Sequence, residues 1–83
     1  MRIVFTAHAK TVMVERGIDP EWVSDTLRAP EWIEPDPYRP DVERRFRRIP
    51  AFDGRVLRVA CLVGDGETRV LTVFFDRGAR MKP

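Results

Sequence analysis

Seven arginines fall within twenty residues, at Arg39, Arg44, Arg45, Arg47, Arg48, Arg55 and Arg58, opposed there only by Asp41, Glu43 and Asp53. A guanidinium binds phosphate through paired N–H groups and also stacks on bases, so arginine at this density suits RNA contact or stabilisation of charge at a reacting phosphate. An acidic protein segment would fit the same fork. Arg58 stands apart, because Val56, Leu57, Val59, Ala60, Cys61, Leu62 and Val63 surround it with apolar neighbours. Its charge must reach a partner or solvent, a buried stem with a wet tip being the plainer reading. His8 is the sole imidazole. A neutral imidazole can act as a general base, although a lone histidine at a helix start is more often structural or simply exposed. With one histidine and one cysteine, Cys61, the chain cannot assemble the usual four ligands of a zinc site, and neither metal nor cofactor is expected. Tyr38 and Phe46 could stack on bases beside the arginines.

Two helices and a set of strands must position these residues. Ile3, Val4 and Phe5 read as a strand entering a helix, with Thr6 as its cap and Ala9, Val12 and Met13 on one helical face. Gly17 suits the left-handed position that ends it. Asp19 then caps a second helix with Pro20 in its first turn and Ile18 placed to staple against Val23. Trp22, Val23, Thr26 and Leu27 form its apolar stripe, and Pro30 predicts its end near Arg28. Pro35, Pro37 and Pro40 mark an extended crossover with a short strand around Trp32 and Ile33.

From Val42 onward, β-branched and aromatic runs are separated by Asp53-Gly54 and Asp65-Gly66, which suit two-residue hairpins. Tight turns at both would pair Arg55 with Phe52 and Glu67 with Gly64. One face would then collect Phe46, Leu57, Val59, Cys61, Val63, Val70 and Phe74. The other would carry Arg45, Arg47, Arg58 and Arg69 among Ile49, Val56, Leu62, Leu71, Val73 and Phe75. Pro50 lacks a backbone donor, and a bulge there would exchange Arg45 and Arg47 for Arg44 and Arg48. The expected fold is a single α+β domain over residues 1–83, with two N-terminal helices on a three- to four-stranded antiparallel sheet.

Eighty-three residues exclude a second core, and 43% hydrophobic residues suit a globular chain. The lone cysteine forms no internal disulfide, and no signal-peptide or membrane-spanning pattern is present, so a cytoplasmic location is expected. The net charge of +2 hides a division. Residues 1–38 hold four Lys/Arg against seven Asp/Glu, and residues 39–83 hold eleven against six. A basic half of this kind marks one surface for an anionic partner, nucleic acid first and an acidic protein second, or is simply a solvated basic face.

Thr6-Ala7-His8-Ala9, then Met13, then Glu15-Arg16-Gly17-Ile18, resembles the opening signature of a small bacterial family of unassigned function. In that family a His-Ala pair starts the helix and an Arg-Gly-Ile turn ends it. The helix through Val23 and Leu27, the Pro30-Glu31 step, the arginine-bearing strand and the terminal Leu71-Thr72-Val73-Phe74 strand look similar too. Such proteins look like relatives of the RelE/ParE and BrnT toxins, which set helices against a small antiparallel sheet. The resemblance implies a toxin of a type II toxin–antitoxin system with an RNA-cleaving or ribosome-associated activity, expected as a metal-independent endoribonuclease acting on mRNA and paired with a small acidic antitoxin. Val12 stands where the family commonly shows arginine, and no tyrosine occurs near the C terminus, where RelE-type nucleases often use one. His8 and Arg58 are then the expected catalytic residues, and Arg44, Arg45, Arg47, Arg48 and Arg69 the expected RNA contacts. The alternatives are a non-catalytic module that binds an antitoxin, a gyrase-like target or nucleic acid, an inactive toxin relative, or a homodimer joined through sheet edges.

Overall fold

The computed structural model describes residues 1–79. Strand β1 (Arg2–Phe5) leads into helix α1 (Ala7–Arg16), which is followed by α2 (Pro20–Arg28), β2 (Trp32–Pro35), β3 (Glu43–Ile49), β4 (Arg55–Gly64) and β5 (Glu67–Phe75). The strands form one five-stranded sheet in the order β1-β5-β4-β3-β2, antiparallel throughout except that β1 runs parallel to β5. The architecture is thus α+β with two helices, and the sheet is mixed and larger than the antiparallel sheet expected. Among the described residues no helix is long and apolar enough to cross a membrane.

Both helices begin and end where local chemistry dictates. The amide of Ala9 donates to Thr6 Oγ1 at 3.1 Å, and that of Glu21 to Asp19 Oδ1 at 2.9 Å, so each cap satisfies an otherwise orphaned donor. Gly17 closes α1 at φ 63°, where a side chain would be strained. Helix α1 lies over β5, and α2 over β4 and β3. Between the layers sit Ala9, Val12, Met13, Ile18, Val23 and Leu27 from the helical side, and Ile49, Leu57, Val59, Cys61, Val70 and Val73 from the sheet. Leu57 is fully buried, and burial of such a side chain stabilises by about 1.5–3 kcal/mol. Trp22, Phe52 and Phe75 close one end of this core, with the last two rings stacked at 4.5 Å.

Two departures from simple hairpins set which side chains face the helices. Asp53 and Gly54 adopt positive φ, but the connection reaches back through a 3-10 turn at Pro50–Phe52, with the amide of Gly54 donating to Ile49 O. Arg55 therefore pairs with Ile49 rather than with Phe52. This changes the parity of β3 against β4, so Arg45 and Arg47 turn to the helices and Arg44 and Phe46 to the open face. The second hairpin has the expected Glu67 to Gly64 pairing, but the ladder shifts after Cys61 and leaves Leu71 unpaired as a bulge. Beyond it Val73 and Phe75 join the core side and Phe74 the open side, the reverse of the simple register.

Candidate functional site

Among the described residues the helices cover one face of the sheet only; the other, the open face, is bordered by the turn at Gly78 and Ala79, and Phe46 on it is only 3% exposed. Two rows of directly opposed residues cross that open face from β2 to β5. One reads Trp32, Phe46, Arg58, Phe74, and the next reads Glu34, Arg44, Ala60, Thr72. In the first row Trp32 and Phe46 stack at 4.8 Å, and the Arg58 guanidinium lies 4.0 Å above the centre of the Phe74 ring. The buried stem with a wet tip expected for Arg58 is only half met, because its tip is held by a carboxylate and an aromatic face.

His8 reaches the same face. Thr6, besides capping α1, donates from Oγ1 to the bulge carbonyl of Leu71 at 3.2 Å, which pins the helix start to β5. His8 Nε2 then lies 3.3 Å from Thr72 Oγ1. Along the strands the Ala60–Thr72 row falls between the Arg58 row and the pair Leu62–Arg69. The imidazole thus touches the row that lies between those carrying Arg58 and Arg69.

The arginines expected to share one surface are divided. Arg58, Arg69, Arg44 and Arg48 occupy the open face. Arg45 and Arg47 do not, which corrects the shared face expected for them. Arg45 NH1 donates to Leu27 O and Arg47 NH1 to Ala29 O, both at 2.7 Å, so these side chains serve carbonyls at the C-terminal end of α2. Those carbonyls have no helical partner and carry the negative end of the dipole, which explains why cations are held there.

Carboxylates compensate the remaining guanidiniums. Arg58 NH1 meets Asp76 Oδ2 at 3.1 Å, and Arg44 Nε meets Asp36 Oδ2 at 3.3 Å, both pairs being less than a quarter exposed. Arg69 and Glu67 form a looser, more exposed pair at 3.5 Å, which contributes little. Burial, and then the charge of nearby Arg44, lowers the pKa of Arg58, with Asp76, Asp36 and Glu34 acting in the opposite sense. Arg44 and Arg58 are therefore near enough to repel. Trp32, Glu34, Arg44, Phe46, Arg58 and Asp76, with the turn at Gly78 and Ala79, line an open cavity of about 390 Å³.

Thr72, Asp36 and Asp76 were not among the residues expected from sequence. Their roles arise from the Leu71 bulge and from the turns after β2 and β5, which carry no periodic signal.

The molecule so described is a small two-layer α+β protein in which the sheet face away from the helices bears four arginines, Arg44, Arg58 and Arg69 among them paired with carboxylates, and meets a histidine from the start of α1. The chain belongs to the family described as a domain of unknown function (DUF4258), whose model matches residues 5–75. No curated protein and no solved structure matches it.

Proposed function

We propose that the open sheet face binds RNA and that the protein is a toxin-like, metal-independent endoribonuclease of a type II toxin–antitoxin system. The observation that carries this reading is the His8–Thr72 contact at 3.3 Å, through which the imidazole shares a surface with Arg58 and Arg69. In the reaction His8 takes the proton of a ribose 2′-hydroxyl, and the freed oxygen attacks the adjacent phosphorus. The P–O5′ bond breaks, the leaving oxygen takes a proton from water, and a 2′,3′-cyclic phosphate remains. Arg58, with Arg44 and Arg69, offsets the negative charge that builds on the phosphate. Two N-terminal helices on one side of a mostly antiparallel sheet support the comparison with RelE/ParE toxins, and the basic C-terminal half suits a small acidic antitoxin.

The test is cleavage of an unstructured RNA by purified protein in the presence of a chelator. Products ending in cyclic phosphate are expected, lost in His8→Ala and Arg58→Ala variants that keep the wild-type melting temperature, with matching loss of growth arrest on expression. Cleavage undiminished in both variants would refute these roles.

A second reading is favoured by the ion pairs Arg58–Asp76 and Arg44–Asp36, which already neutralise two guanidiniums. On that reading the face is a non-catalytic binding module for an acidic antitoxin, a protein target or structured nucleic acid. RNA binding that weakens steeply with salt, without turnover, would select it.

A further inference from the structure

The segment between β2 and β3 holds Tyr38 at 88% exposure, more than any other large hydrophobic residue among those described. Exposed tips of this kind are ordinarily loose, but this one is built to be rigid. The amides of Tyr38 and Arg39 both donate to Asp36 Oδ1, at 2.9 and 3.0 Å. The amide of Asp36 donates to Val42 O and that of Val42 to Arg39 O, which closes the loop at its base. Pro35, Pro37 and Pro40 further restrict the chain in its unfolded state. An aromatic ring presented on such a frame loses little entropy when something stacks on it.

The same Asp36 carboxylate that holds Tyr38 also holds Arg44, through Oδ2 at 3.3 Å, and Arg44 lies in the row that ends at Thr72 and His8. The tip is therefore bolted to the open face. Beside the ring, Arg39 is paired with Asp41 only at 3.5 Å, and the two side chains are 58% and 61% exposed. Such a pair is worth little, so an incoming phosphate can take the guanidinium over.

We propose that Tyr38 and Arg39 form a nucleotide grip for single-stranded RNA, in which an unpaired base stacks on Tyr38 and its phosphate meets Arg39. A strand held there continues past Arg44 toward Arg58 and His8. Duplex RNA is excluded from this grip, because its bases are already stacked on one another. The inference rests on the RNA reading of the open face.

Fluorescence anisotropy with a labelled, unstructured 2′-O-methyl RNA, which lacks the attacking hydroxyl, tests both together. Tyr38→Ala should weaken binding by roughly 5- to 150-fold, the range seen when a stacked aromatic is removed. Tyr38→Phe should bind as the wild type does, and both Tyr38 variants should melt at the wild-type temperature, since the residue is 88% exposed. Wild-type and Tyr38→Ala proteins binding equally well, while Arg58→Ala binds less, would overturn the grip and leave the RNA reading standing. A wild-type protein that binds no RNA overturns both.

Discussion

Arg58, in the middle of β4, and Asp76, just past the end of β5, are joined by a 3.1 Å ion pair between residues 18 positions apart. The second oxygen of the carboxylate accepts from the amides of Gly78 and Ala79, at 2.9 and 3.1 Å. One side chain thus fixes the guanidinium over Phe74 and forms the turn that borders the cavity.

Asp76→Ala should therefore cost more than a surface charge would. Leaving the partly buried Arg58 and two turn amides without their acceptor is expected to destabilise by about 1–3 kcal/mol. Urea unfolding followed by far-ultraviolet circular dichroism measures it, and a loss indistinguishable from zero would show that solvent replaces the carboxylate.

Thr6 both caps α1 and clasps β5. Thr6→Ala should lose about 0.5–2 kcal/mol, whereas Thr6→Ser should retain most of it, because the hydroxyl remains. In the alanine variant the nuclear magnetic resonance signals of the His8 ring and the Thr72 amide should move together. Unshifted signals would mean that the imidazole is held by something other than this clasp.

Burial first, and Glu43 in addition, pushes the Cys61 thiol up to about 11, against the opposing pull of Arg45. The neutral thiol of a side chain with no exposed surface is a poor nucleophile. A disulfide exchange reagent at mildly alkaline pH should leave the folded protein unmodified and react fully once denaturant is added. Rapid modification of native protein would contradict the packing between sheet and helices.

The pKa of Asp36 is held below its ordinary value of 3.8, chiefly by the hydrogen bond from the Tyr38 amide, with that from Arg39 and the charge of Arg44 assisting and burial opposing. A depressed carboxylate contributes stability above its unfolded pKa and loses it as pH falls through the folded one. The Tyr38 and Arg39 amides should thus stay protected across the mildly acidic range and lose protection only below the ordinary carboxylate region. Hydrogen exchange on acidification reports this, and loss of protection at higher pH would show that Asp36 does not hold the tip.

The helices were legible because their signals are local. As helix-end residues, Thr6, Gly17, Asp19 and Pro20 act within a turn of their own position, as their residue types predict. The sheet was legible in its strands but not in its facing. Pro50 marked the weak point of the register, and the 3-10 turn at Pro50–Phe52 did exchange Arg45 and Arg47 for Arg44 and Arg48. Nothing around Leu71 announces a bulge, because any residue of an apolar run can be the one left unpaired. The parallel pairing of β1 with β5 is equally silent, since it depends on closing the chain over most of its length. At the site, His8 and Arg58 lie on one face, but the carboxylates that restrain the arginines follow from loop geometry.

The parallel seam between β1 and β5 also has a meaning for biosynthesis. Of the five described strands, β1 is made before the others and its neighbour in the sheet, β5, after them, with Thr6 and its acceptor Leu71 separated by 65 positions. Until translation has passed Phe75, Arg2–Phe5 has no sheet to join, and the start of α1 has no anchor. The β3–β4 hairpin can assemble before β5 exists, whereas the imidazole is seated only once β5 has joined, so β1 precedes the other strands in synthesis and follows them into the sheet.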